Sequence, residues 1–163
     1  MVTLQRDIGA YLLCKNALNP VTLNESSTAE NGIWQNGVSV NRANTTPDTT
    51  LYLSGKIAVP ISYSLAAAET ATAKVQLQDS AAGSTWAVVT DKDGSTAASL
   101  ILGSTASTAA QTGNVILATD VNLAKCRQYV RIRLKVTFTG TSTNDADVGG
   151  VLIMGGPDHT PAA

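Results

Sequence analysis

The residues best placed to do chemistry in this chain are crowded into one basic run. Five of its 11 basic residues, Lys125, Arg127, Arg131, Arg133 and Lys135, lie between positions 125 and 135. In "RQYVRIRLKVTFTG" the cations alternate with Val130, Ile132, Leu134, Val136 and Phe138. A β-strand would turn that apolar register into a core and line its other face with positive charge. Such a face either grips anions or is a solvated surface that keeps sheets from pairing wrongly. The net charge of -1 supplies no global attraction to nucleic acid or to an anionic membrane. Carboxylates of a protein neighbour are therefore the favoured partners of Arg127, Arg131, Arg133 and Lys135. Neither nucleic acid nor membrane is expected as a partner.

The other reactive residue types point away from catalysis. The single histidine, His159, lies in a C-terminal tail, so no His pair or His-carboxylate set exists for zinc or non-haem iron. A Ser-His-Asp triad would need that same residue, and no Gly-x-Ser-x-Gly elbow is present. "DKDGS" (91–95) has the wrong spacing for a calcium loop and fits a hairpin turn. "NDADVGG" (144–150) puts Asp145 and Asp147 on one side of an extended segment. They could hold a weak divalent ion at a subunit contact, although a solvated loop is preferred. Glu25, Glu30 and Glu69 are the only glutamates, and a glycosidase pair would need distant aspartates to converge. No glycine-rich phosphate loop precedes a helix. No enzyme activity, cofactor or metal is expected.

The elements that must position these residues are strands. "LYLSGKIAVPISY" sets Leu51, Leu53, Ile57, Val59, Ile61 and Tyr63 on one face, bending near Gly55 and ending at an edge-type Pro60. "AKVQLQD", "TWAVVT" and "AASLIL" form a meander over 73–102, and "GNVILAT", "VGGVLIMGG" and the opening stretch supply further strands. Within "TWAVVT", Trp86 alternates with Val88 and is expected in the core. Trp34, between Gly32 and Gly37 in a polar loop, is the better interface anchor or sugar platform, or else plugs the end of the sandwich. "SLAAAETATA" and "DVNLAKC" are short helical candidates.

The expected architecture is all-β: one antiparallel β-sandwich over residues 1–163, with little helix. Residues 1–18 form an arm and first strand, 19–50 a long polar loop region, 51–154 the core strands and 155–163 a tail. The extreme ends, 1–7 and 156–163, have no core pattern and are expected to be flexible. Charged residues are only 14% and aromatics 4%, so Thr, Ser, Asn, Gln and Ala fill the surface, which suits a chain that meets other protein over much of its area. Cys14 and Cys126 are expected as reduced, core-facing thiols, with a disulfide between them as the alternative. "MVTLQRDIGAYLL" lacks the pattern of a secretion signal, and no apolar run reaches the length of a membrane span.

In its order of features, "ENGIWQNGVSVNR", the long strand to Tyr63, "KVQLQDSAAGSTWAVV" and "CRQYVRIRLKVTFTGTSTNDADVGGVLIMGG", the chain resembles the small decoration or cement proteins on the heads of tailed bacteriophages. The resemblance spans roughly residues 30 to 156. It implies a β-sandwich, often of jelly-roll type, on the outer surface of the capsid in the virion, commonly a homotrimer, that stabilises the lattice of the major capsid protein and has no enzyme activity. Synthesis would be in the host cytoplasm. Trp34, Arg127, Arg131, Arg133, Lys135, Asp145 and Asp147 are the candidate contact residues. The alternatives are a carbohydrate- or receptor-binding sandwich and a tail or head-completion protein of the same virion.

Overall fold

Alternation of apolar and polar residues every second position can be satisfied only by a sheet with one buried face, and two such faces must meet. In the computed structural model, which describes residues 12–44, 50–90, 97–140 and 143–157, they do. The strands are β1 (Leu13–Asn24), β2 (Gln35–Asn36), β3 (Val40–Asn41), β4 (Ala43–Asn44), β5 (Thr50–Leu65), β6 (Thr70–Ser80), β7 (Ala87–Val88), β8 (Ala98–Gly103), β9 (Gln111–Asn122), β10 (Tyr129–Thr139) and β11 (Asp145–Pro157). Every pairing is antiparallel.

Sheet I runs β1-β11-β5-β9, with β4 extending the β9 side of β5 at Thr50 and Leu51. Sheet II has β10 and β6 at its centre, with β2 and β3 along the outer side of β10 and β7 and β8 along the outer side of β6. The chain visits sheet I with β1, sheet II with β2 and β3, then β5 (I), β6 to β8 (II), β9 (I), β10 (II) and β11 (I). This wrapping of paired strands around a barrel-like core is a jelly roll. The all-β antiparallel sandwich is therefore the fold.

The apolar register of β10 is the centre of the core: Val130, Ile132, Leu134 and Val136 have no exposed surface and Phe138 has 6%. They share one buried cluster with Ile57, Val59 and Ile61 of β5 and Leu152 and Met154 of β11. Each such side chain contributes about 1.5–3 kcal/mol on leaving water.

Several local expectations are corrected. β5 is one continuous strand, but Pro60 is central, flanked by β11 and β9. The β5–β11 ladder skips from Val148–Ile61 to Val151–Ala58, leaving the pairing blank where Pro60 faces Gly149 and Gly150. A proline has no N–H to give, so a central strand tolerates it where its neighbour releases the ladder. At the other end of β5, where β4 lines the edge, burial inverts: Tyr52 is covered and Leu53 is 37% exposed. The segment 19–50 is not one long loop, since β1 continues to Asn24 and β2, β3 and β4 follow. "NDADVGG" is not a loop either, because β11 starts at Asp145 and runs to Pro157, into the expected tail.

Both helical candidates are strand ends joined to turns: β5 reaches Leu65 before the turn to β6, and β9 reaches Asn122 before a turn closed by Cys126 N–H donating to Leu123 O at 2.9 Å. Cys126 is buried, and burial, aided by the negative charge of Asp79, pushes its thiol up to about 11. Cys14 is exposed and does not face the core, and the two thiols are not joined. The terminal arm 1–7, His159 and "DKDGS" lie outside the described residues.

Candidate interaction surface

Because β10 alternates without interruption, burying Ile132 and Leu134 forces Arg131, Arg133 and Lys135 onto the outer face of sheet II. Strand β6 lies alongside in full register and sets Gln78 opposite Arg131, Gln76 opposite Arg133 and Lys74 opposite Lys135. Arg131 Nε donates to Gln78 Oε1 and Arg133 Nε to Gln76 Oε1, each at 2.8 Å. These amides hold the guanidiniums along the sheet without neutralising them.

Two tryptophans cover the row. The Arg131 guanidinium lies 4.4 Å from the centroid of the Trp86 ring. Trp34 covers its neighbours, with Arg133 at 4.5 Å and the Lys135 ammonium at 5.2 Å. Trp34 is held by β2, which pairs Gln35 with Leu134 and Asn36 with Arg133. Trp86 is held by β7, which pairs with Gln78 and Asp79.

Trp86 is thus on the outside and not in the core. It does share a face with Val88, which is 37% exposed, but β7 turns that face outward and Val89 inward against the core. Trp34 likewise packs on the sheet's outer face and does not plug an end. Each ring supplies about 0.5–1 kcal/mol of cation–π attraction at a surface site, which leaves every unit charge in place. Burial and the neighbouring charge of Arg133 lower the Arg131 pKa. Among the described residues, Arg131, Arg133, Lys135 and Lys74 have no carboxylate partner. The result is a strip of three held cations, with the exposed Lys74 beside them, and no counter-charge among the described residues.

Arg127 does not belong to this strip. Its guanidinium clamps Asp79 through Nε (3.1 Å) and Nη2 (2.7 Å), and its backbone N–H donates to Asp79 Oδ2 at 2.9 Å. Burial works against ionisation of Asp79, but the Arg127 hydrogen bonds and the charges of Arg127 and Arg42 outweigh it and hold the carboxyl below its usual 3.8. A depressed carboxyl pKa stabilises the fold above the unfolded value and ceases to do so as the pH falls through the folded one. Asp79→Asn should therefore cost about 1–2 kcal/mol at neutral pH, and its unfolding free energy should converge with that of the unmodified chain under strong acid. A deficit unchanged at pH 2 would contradict this account.

Arg42 had no signature in the sequence beyond sharing parity with the buried Val40. It is 4% exposed and gives its donors to the carbonyls of Arg127 (2.9 Å), Tyr52 (3.0 Å) and Cys126. Asp145 and Asp147 lie across the sandwich from the cations, on the outer face of sheet I, where Thr22 Oγ1 donates to Asp147 Oδ1 at 2.5 Å. No third acidic, His or Cys ligand joins them among the described residues. Asp147 stands at a depression of the same sheet that is otherwise lined mainly by apolar residues, among them Pro20, Pro60, Ile116 and Gly149.

No protein-family model matches the chain, and neither does any curated protein. Among solved structures it is similar to the PBSX exported protein XepA, at 14% identity and a TM-score of 0.46, over 93% of this chain and 39% of that one. It is also similar to a structure of infectious bursal disease virus, Gx strain, at 10% identity and a TM-score of 0.47, over 93% of this chain and 34% of that one. A third is turnip yellow mosaic virus, at 14% identity and a TM-score of 0.29, over 99% and 90% of the two chains. The chain spans well under half the length of the first two.

Proposed function

We propose that this chain is a structural virion protein that decorates the outer surface of a bacteriophage capsid and stabilises the lattice of the major capsid protein. The observation that carries the proposal is the strip of Arg131, Arg133 and Lys135, preorganised on sheet II beside Lys74, with no carboxylate partner for any of the four among the described residues. Cations already fixed by amides and aromatic rings lose little side-chain entropy on meeting an acidic patch, so an acidic area of a capsid lattice suits them. The jelly roll supports the same reading by analogy, since capsid domains use it, as do lectins and cupins. Both Trp34 and Trp86 have a ring face occupied by a cation, which weighs against a sugar platform. Docking of several copies, as a homotrimer, would multiply a modest contact through effective concentration. The role requires no catalytic group or cofactor.

The test is co-sedimentation with undecorated phage heads. Saturable binding that weakens with salt is expected for the unmodified chain, and loss of about tenfold or more in affinity for the double variant Arg131→Gln, Arg133→Gln, with its melting temperature nearly unchanged. Equal binding by that variant would remove the cationic strip from the contact. No binding by the unmodified chain would remove the decoration role itself.

A further inference from the structure

A sheet that does not close leaves edges whose backbone N–H and C=O groups can pair with another chain, and proteins guard such edges with breaks, prolines and charge. The edge strands of sheet II are short: β2, β3 and β7 have two residues each and β8 has six. At one edge of sheet I, β1 is interrupted by register shifts between Asn16 and Leu18 and between Leu18 and Val21. It also contains Pro20 and gives Ala17 O to the Val38 N–H.

At the other edge, β9 carries none of these guards. It pairs with β5 through twelve consecutive positions, from Ser54–Asn122 to Leu65–Gln111, without a bulge. It has no proline and no lysine, and its one charge, Asp120, is neutralised by Lys56 at 3.0 Å. From Thr112 to Val121 its backbone has no partner other than β5 among the described residues. Alternate residues therefore turn unpaired N–H and C=O groups away from the sheet.

Parity adds an apolar face to that edge. Leu117 is buried, so Asn114, Ile116, Ala118 and Asp120 share the outer face of sheet I, with Pro60 beside Ile116 and Ala58 beside Ala118. Ile116 is 66% exposed there. A second copy of the same strand satisfies both features. In an antiparallel pair centred on Leu117, Ile116 of each copy lies beside Ala118 of the other, and Asp120 beside Asn114. Large meets small, and no like charges face each other.

We infer that β9 pairs antiparallel with β9 of a second copy, making sheet I continuous across a twofold axis normal to it. Each edge is used up by one partner, so the link joins copies in pairs, and in a threefold assembly it joins one unit to the next. With the axis normal to the sheet, both sheet II faces point the same way and would present their basic strips to one surface. The pairing itself does not rest on the decoration role.

The experiment is sedimentation of the full chain from about 1 µM to about 1 mM, with hydrogen exchange followed at both ends of that range. Mass should rise with concentration above that of the smallest species. The β9 amides turned away from β5 should exchange at least about tenfold more slowly in the associated form. Ile116→Lys alters a side chain already in solvent, so it should melt within roughly 2 °C of the unmodified chain while weakening association about tenfold or more. Mixing Ile116→Lys with Ala118→Glu should restore association, because the lysine then lies beside the glutamate. A mass independent of concentration overturns the inference. So does association that Ile116→Lys leaves unchanged, or new protection on β1 or β8 in place of β9. If the mixed variants fail to associate while β9 of the unmodified chain is protected, the register about Leu117 is overturned.

Discussion

Gly37→Ala should lower the melting temperature by roughly 6–12 °C, the equivalent of about 3 kcal/mol in a chain of this size. A methyl group at Gly37 would lie 2.0 Å from Ala17 O and 2.6 Å from Ile132 O. Both are backbone atoms and cannot swing aside as a side-chain tip could. They belong to different sheets: Ala17 to β1 of sheet I and Ile132 to β10 of sheet II. The segment between β2 and β3 bridges them, with Gly37 N–H donating to Ile132 O and Val38 N–H to Ala17 O, both at 2.8 Å. It is the closeness of the strap, not an unusual backbone conformation, that demands glycine here.

The added methyl group must lift the strap, breaking both bonds and withdrawing β2 and Trp34 from Arg133. Tryptophan fluorescence should consequently shift together with the melting temperature. Gly149→Ala is the control, since nothing comes closer than 3.9 Å to a Cβ at that position. If Gly37→Ala melted within a degree of that control, the strap would not be holding the sheets together.

The sequence made the long strands legible for a simple reason. β5, β6 and β10 each repeat their alternation often enough for parity to assign a face, and the register follows from burying it. Val130 to Phe138 and the opposing Arg131, Arg133 and Lys135 are therefore found where the pattern puts them. Parity cannot operate on the two-residue strands β2, β3, β4 and β7. These strands decide where Trp34 and Trp86 go, so the cations were legible but their aromatic cover was not. Pro60 misled because a proline is usually confined to an edge, and its release depends on Gly149 and Gly150 some ninety positions later. Buried polar residues were the least legible of all. Arg42, Glu25 and Asn144 are ordinary polar letters in Asn- and Thr-rich surroundings, and only partners from distant strands explain why they are covered. Asp145 and Asp147 did appear on one side of an extended segment, as their spacing required. The sheet to which that segment belongs then carried them away from the basic strip.

Asn144→Ala should cost about 3 kcal/mol, measured by denaturant unfolding. The loss of a small side chain's packing cannot account for that much; the hydrogen bonds can. Removing the amide takes the acceptor from the part-buried Ala66 N–H and takes from Glu25 and Glu69 the donor that lies between them. Each unsatisfied group costs about 1–3 kcal/mol, and the sum is less than additive because the turns relax together.

Asn144→Asp separates the electrostatic part from the packing part. It keeps the shape and still offers an oxygen to Ala66, but it replaces the shared NH₂ with a third carboxylate. At neutral pH it should therefore be at least as damaging as Asn144→Ala. The introduced acid would hold its proton more tightly in the folded state than in the unfolded one, so the folded chain binds more protons and stability rises as the pH falls. Unfolding midpoints of Asn144→Asp should climb toward the unmodified chain between pH 7 and 5, while those of Asn144→Ala should show no comparable recovery. Parallel pH profiles for the two variants would mean that Asn144 serves only to fill space, and that the carboxylates it joins do not feel each other's charge.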